Sequence, residues 1–361
     1  MTASVSSIIL SYLFICVSLL IFNTLTITRA QKQVRKAAKR TRDWTGRLEK
    51  QWQSAGGGGV GEAHRRLLRR RLRRVGQLIA YHNAVEPYLE RPEVQHYLDA
   101  CASVFQALAH HYAHRPAMER AFFAYVIFLY HPGRDGQSRR LVEELVRFLD
   151  NSTIYCRENV LKALCAMGSA GAIEGALELF HERGWVHPTR LLSDGLMQFY
   201  GDREDLTLRL WRSSGRWEES CQVAVVQLAT QLSDSFSEEF ARALTGHSVR
   251  QEVCFAILRY FRRHPYEPLR PFLYQCMEGE DEMAIIAAST LESYPGLETA
   301  AALRRGLHSR NWYVRRNAAA ALVHLGLADG EMALLRQGGD RYALEMLSYV
   351  SEEAKAREVT A

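Results

Sequence analysis

Proline is scarce in this chain, with nine in 361 residues, while Ala, Leu, Glu and Arg abound. So few helix breakers among so many good helix formers point to an all-α fold and away from a sheet-based one. Paired cysteines are missing too. Cys16, Cys101, Cys156, Cys165, Cys221, Cys254 and Cys276 are odd in number and scattered through apolar stretches, with no CxxC pair. That excludes a disulfide framework and suggests reduced, buried thiols in a cytoplasmic compartment. Catalytic signatures are absent as well. Gly56–Gly59 lacks the Lys-Ser/Thr that a phosphate-cradling loop needs, and no GxSxG or HExxH occurs. His110 and His114 have metal-compatible spacing, but no carboxylate joins them in their helix. Their place before Arg115-Pro116 fits a helix C-terminus, where imidazolium is favourable. No metal, cofactor or small-molecule substrate is expected, and no enzymatic activity.

Charge, finally, is lacking from Val5 to Ile27. As a helix that run is about 34 Å long, enough to cross a hydrocarbon core about 30 Å thick. Arg29, Lys32, Arg35, Lys36, Lys39, Arg40, Arg42 and Arg47 follow at once, and nothing basic precedes the run. The positive-inside bias then puts the N-terminus outside and the rest of the chain in the cytoplasm. A cleaved signal peptide ending near Thr28-Arg29-Ala30 is the competing reading. It is disfavoured by the missing basic n-region and the length of the run.

Charge is also uneven along the chain. Residues 28–75 hold sixteen Lys/Arg against three acids (Asp43, Glu49, Glu62), a net +13; the whole chain is +6 and residues 1–27 carry none, which leaves −7 for 76–361. A basic N-terminal segment beside an acidic body suits anionic lipid headgroups better than nucleic acid. The expected membrane-surface residues are Arg29, Lys32, Arg35, Lys36, Lys39 and Arg40, then Arg65, Arg66, Arg69, Arg70, Arg73 and Arg74. In the second group Leu68, Leu72, Val75 and Ile79 are spaced four, three and four apart, which predicts one basic amphipathic helix over 62–81. That helix would lie at the membrane interface or cap the body. Glycines 56–59 and 61 read as a flexible break before it.

From about Val85 onward the pattern is helical in short pieces, and it repeats. Tyr155-Cys156-Arg157-Glu158-Asn159-Val160-Leu161-Lys162-Ala163-Leu164 matches Tyr313-Val314-Arg315-Arg316-Asn317-Ala318-Ala319-Ala320-Ala321-Leu322. Ser248-Val249-Arg250 gives a related frame with Val253, Ala256 and Ile257. Weaker copies begin at Arg190, Cys221 and Ala284, so successive anchors are 33, 31, 29, 34 and 31 residues apart. A period near 31 is the mark of stacked helix pairs.

This pattern resembles the HEAT repeat, in which a Val-Arg pair opens the second helix and Ala and Leu follow at fixed steps. The resemblance covers about residues 138–350 and implies an α-solenoid with Arg157, Arg250 and Arg315 as structural motif residues. The family's arginine commonly pairs with an acid in a neighbouring turn, and Asp150 is a candidate. Near Ala284 the arginine is missing and Glu280-Asp281-Glu282 forms an acidic patch. The expected architecture is all-α: a transmembrane anchor over 1–28, a basic juxtamembrane segment and Gly-rich linker over 29–61, a helical cap over 62–137, HEAT-like hairpins over 138–350, and a tail over 351–361.

Trp185, Trp211, Trp217 and Trp312 fall near turns of successive repeats with arginines close by, a composition common in binding hot spots. They line a partner groove or each fills an inter-repeat gap. Such solenoids typically bind proteins. The resemblance therefore implies a single-pass membrane scaffold with a membrane-associated protein partner, for which an accessory role to a cell-envelope enzyme such as a glycosyltransferase is one expectation. An enzymatic or nucleic-acid-binding HEAT-like protein and an anionic-lipid sensor are the alternatives.

Overall fold

The structure, a computed structural model, describes residues 5–58, 60–132, 139–279, 281–338 and 340–360. All regular structure among the described residues is helical, in about twenty helices packed largely as consecutive pairs, consistent with a helical repeat. The chain divides into two units, Met1–Ser169 and Ala170–Ala361.

The first unit holds α1 (Val5–Gly58), α2 (Glu62–Arg71), α3 (Val75–Val85), α4 (Pro92–Ala100), α5 (Ala102–Ala113), α6 (Ala117–Tyr130), α7 (Arg139–Arg147) and α8 (Ile154–Ala166). Helix α1 corrects the expected glycine break. It is one uninterrupted helix of 54 residues, so the basic segment continues the apolar run and is not followed by a break at Gly56–Gly58; Gly59 lies outside the described residues. Its apolar part is exposed and long enough to cross a membrane or to act as a signal sequence. Thr24 and Thr26 bond back to the carbonyls of Leu20 and Phe22, which satisfies their hydroxyls within the helix. The far end of the same helix belongs to the body. Trp44, Leu48 and Trp52, spaced by four, form a buried stripe on α3 and α4.

The predicted amphipathic helix over 62–81 is also corrected. It stops at Arg71, and Arg74, with φ −96° and ψ 121°, starts α3 in a new direction. Leu68 and Leu72 are fully buried, whereas Ile79 is exposed and Leu78 takes the inward place. The leucine stripe packs into the body and offers no apolar face to a bilayer.

The second unit holds α9 (Ala170–Glu182), α10 (Thr189–Leu196), α11 (Arg203–Ser213), α12 (Glu219–Leu232), α13 (Ser237–Thr245), α14 (Gln251–Arg263), α15 (Arg270–Cys276), α16 (Glu282–Thr290), α17 (Leu297–Leu307), α18 (Trp312–His324), α19 (Ala328–Gly338) and α20 (Arg341–Thr360). Helices α10, α12, α14, α16, α18 and α20 pack each on the next and form one row. Helices α11, α13, α15, α17 and α19 each pack on the member of that row that follows them. The expected tail is absent as a separate segment, because α20 continues through Thr360.

A burial rhythm identifies equivalent positions. Cys156 of α8 is followed at +4, +5, +7 and +8 by buried Val160, Leu161, Ala163 and Leu164. The same steps lead from Cys221 in α12, Val253 in α14 and Val314 in α18 to buried residues each time. Counting from positions 188 and 283 reproduces the steps in α10 and α16. These starts (156, 188, 221, 253, 283, 314) are 32, 33, 32, 30 and 31 residues apart, more even than the sequence anchors. The rhythm also runs through α3 (Tyr81, His82, Ala84, Val85) and α6 (Phe123, Ala124, Val126, Ile127), upstream of residue 138. A shared hydrogen bond supports the alignment. Asn159 Nδ2 donates to the carbonyl of Ala121 at 3.1 Å, and Asn317 Nδ2, at the equivalent place, donates to that of Ile285 at 2.8 Å.

In this frame Arg157 and Arg315 are equivalent, but Arg250 is not. It stands one turn earlier, as the N-cap of α14, where it donates to the carbonyl of Trp217. Cys254 and Gln222 occupy the arginine position in α14 and α12. In α6 the position belongs to Arg120, which is 7% exposed and donates to the carbonyls of Asp150 at 2.8 Å and Asn151 at 3.1 Å. Asp150 therefore serves through its backbone oxygen, and for Arg120. Arg157 donates to Ser152 O at the start of its own helix.

Close packing between rows leaves little spare volume. A Cβ on Gly306 of α17 would stand 2.6 Å from Met277 Cε and 3.0 Å from the Ala318 methyl. Gly306→Val is expected to destabilise the second unit by about 1–3 kcal/mol through overpacking. Chemical denaturation checks this; an unchanged midpoint would show that the α17–α18 contact is looser than described.

Candidate functional site

Two surfaces carry chemistry. The first is the basic face of α1. Arg29, Lys32, Arg35, Lys36, Lys39 and Arg40 are all exposed. At 3.6 residues per turn they share an arc of about 140°, centred roughly 150° round the helix from the Trp44–Leu48–Trp52 stripe. Packing that stripe inward thus turns most of the basic arc away from the body, while Arg40 at its edge reaches back to Gly76. From Ile27 to Trp44 the helix rises about 26 Å. The body's first buried layer is therefore held at a set distance from the end of the apolar run. Trp44 fixes the joint: its Nε1 donates to Gln77 Oε1 at 3.0 Å, and its ring meets Tyr81 edge-on at 5.4 Å.

The arginines of α2 and its following turn divide. Arg66 and Arg69 pair with Glu62 of their own helix. Arg65 and Arg69 are half-buried, and Arg66, Arg70, Arg73 and Arg74 are exposed. They do not lie on one helix, because the α2–α3 turn separates Arg73 and Arg74 from the others.

The second surface is a groove in the second unit. A cavity of about 380 Å³ is lined by Trp211, Arg212, Gln222, Glu239, Arg242 and Val249, among others. Val249 also borders a cavity of about 480 Å³ lined by Leu244, His247, Cys254, Phe272, Cys276 and Asp281. His247, in the lining of the second cavity, adopts φ 48°. Trp211 packs edge-on against Phe240 at 4.8 Å, so one ring face stays available. Glu239 sits between Arg212 at 3.6 Å and Arg242 at 3.1 Å, giving the rim both signs of charge. The lining mixes apolar side chains (Trp211, Val249, Phe272) with polar and charged ones (Gln222, Glu239, Arg242), as in many protein-binding surfaces.

The four tryptophans do not line one groove. Trp217 is fully buried and donates through Nε1 to Glu178 Oε2 at 2.7 Å, so it fills an inter-repeat gap. Trp185 is half-buried against Phe180. Trp211 lines the cavity. Trp312 is 47% exposed at the start of α18, beside the exposed Tyr313 and with the Arg316 guanidinium 6.0 Å from its ring centre. Of the acidic patch, Asp281 caps α16 by accepting from Ala284 N at 3.1 Å, a structural use; Glu280 lies outside the described residues. Sequence reasoning missed Arg120, although Glu119-Arg120-Ala121 precedes apolar residues at the same steps as Arg157.

No cluster of metal-ligating side chains occurs among the described residues. His110 meets Glu144 of α7 at 3.0 Å instead. Five of the thiols are poor nucleophiles. Burial pushes Cys101 and Cys165 up to about 12, and Cys156, Cys221 and Cys276 up to about 11. On the order of one in ten thousand of the latter is thiolate at neutral pH. Maleimide labelling of the folded protein at pH 7 should therefore leave these five unmodified over times that label them fully in denaturant. Mass spectrometry of the digests reads this, and rapid native labelling of any of them would place that thiol at the surface. Comparison with models of known protein families, with curated proteins and with solved structures finds no match to this chain.

Proposed function

We propose that this chain is a non-catalytic, membrane-tethered scaffold whose HEAT-like array binds a membrane-associated protein partner on the cytoplasmic side. The observation that carries the reading is the continuity of α1. One helix joins an exposed apolar run, long enough to cross a bilayer, to a buried tryptophan stripe, so the run and the packed body share a single element. A scaffold held this way presents its groove at a fixed height, which favours partners reached laterally, such as a membrane-bound enzyme of the cell envelope. The groove beside Trp211 and His247 has the mixed apolar and charged lining that a protein segment needs. The basic arc of α1 supports a second role in the same account, contact with anionic headgroups near Arg29–Lys36.

A photo-crosslinking residue placed at Arg212 or His247 in intact membranes tests the partner surface. Both positions are expected to capture the same discrete protein, while Tyr342, exposed on α20, captures none. Identical capture from all three positions, or none from the groove, contradicts the proposal.

A further inference from the structure

The α2–α3 turn carries an arginine cluster that neither the packing nor the tether uses. Arg70, Arg71, Arg74 and Gln77 line a polar pocket of about 370 Å³. Arg40 reaches the same turn from α1. Its Nη1 lies against Gly76, where a Cβ would be only 3.0 Å away, so the absence of a side chain admits the guanidinium. Among the described residues no carboxylate pairs with Arg40, Arg70, Arg71 or Arg74, whereas nearby Arg66 and Arg69 both share Glu62.

The remaining donor is also fixed. An indole N–H can only donate, so Trp44 holds Gln77 by its Oε1 and leaves the Gln77 amide N–H groups free. Helix α3 opens here too, and Arg74 at its N-cap makes no side-chain cap. The lining side chains thus offer donors or positive charge, and their one acceptor, Gln77 Oε1, is already taken by Trp44. Converging guanidinium groups repel one another, and an anion among them removes that cost. Planar guanidinium forks fit phosphate oxygens in pairs.

We propose that Arg40, Arg70, Arg71, Arg74 and Gln77 form a binding site for the phosphate or diphosphate group of a water-soluble ligand. Position separates this site from the headgroup layer. Arg40 is thirteen residues beyond Ile27, about 20 Å along α1. Headgroups and interface add only some 5–8 Å to each side of the hydrocarbon core. This last step rests on α1 crossing a bilayer; the site itself does not.

Calorimetric titration of pyrophosphate into the full-length chain in neutral detergent, at constant ionic strength, tests the assignment. Saturable one-to-one binding is expected. The double variant R70Q/R74Q, at two exposed positions, should weaken it at least tenfold. The variant R35Q/K36Q removes the same charge from the α1 arc and should change it less than twofold. Circular dichroism and melting confirm that each variant is folded, and R74Q alone serves if the double variant is not. No saturable binding, or equal loss in both double variants, overturns the site. A second arm repeats the titration in nanodiscs of neutral and of anionic phospholipid. Equal affinity is expected. If anionic lipid competes and R70Q/R74Q abolishes the competition, headgroups are the ligand and the soluble assignment falls. If the chain fails to insert into nanodiscs, the tether is refuted while the detergent result stands.

Discussion

Truncating Trp44 to alanine should release α1 from the body. The indole is 1% exposed, packs edge-on against Tyr81 and donates to the side-chain carbonyl oxygen of Gln77. Trp→Ala in a packed site costs about 3–5 kcal/mol, a large share of the 5–15 kcal/mol that holds a typical domain together. The loss is local in origin, because Leu48 and Trp52 are then the buried side chains left to hold that part of the helix on α3 and α4. Hydrogen exchange of residues 41–52 reads it directly. We expect protection there to collapse in W44A and to be partly restored in W44F, which keeps ring packing but not the N–H. Protection unchanged in W44A would mean that the stripe does not fasten the rod.

The second large effect is expected at Arg120. Its buried guanidinium supplies two bonds to the turn between α7 and α8, where Asn151 adopts φ 48°, a conformation that L side chains other than Asn rarely accept. Arg120→Met keeps the apolar stem and removes the donors. Hydrogen bonds from charged groups contribute about 1.5–3 kcal/mol each, and the freed carbonyls lie near solvent, so a net loss of about 2–3 kcal/mol is anticipated. Arg157→Met at the equivalent position should cost less, since its residue is only half-buried and it donates to Ser152 O, at the start of its own helix. Thermal unfolding of the two variants checks the order. An Arg157 variant that melts below the Arg120 variant would reverse the roles assigned here.

These residues also show how much could be read from the sequence. Helices α8 and α18 were legible because Val/Cys, Ala and Leu fall at steps that only a tightly packed second helix requires. In α14 the same steps fit two frames four residues apart, since one helical turn maps an apolar stripe onto itself. Val249-Arg250 satisfied the motif by residue type, while burial selects the frame in which Cys254 holds the arginine place. The continuity of α1 was hidden by glycines 56–58, which lower helix propensity but do not forbid a helix. The break at Leu72–Arg74 was hidden for the opposite reason. No glycine or proline marks it, and the turn forms because Leu72 and Leu78, not Leu72 and Ile79, reach the core. The groove was only half visible. Trp211 and Trp217 look alike in sequence, and Glu178, distant in the chain, draws Trp217 inward.

The account turns on whether α1 carries an intact span with the body on the inner side. Single cysteines at Thr2 and Lys36, probed with a membrane-impermeant maleimide in intact and permeabilised cells, measure this most directly. We predict that position 2 labels from outside, that position 36 labels only after permeabilisation, and that the isolated chain retains residues 1–30 by mass. A released chain beginning near Ala30, or labelling of position 36 in intact cells, would contradict it.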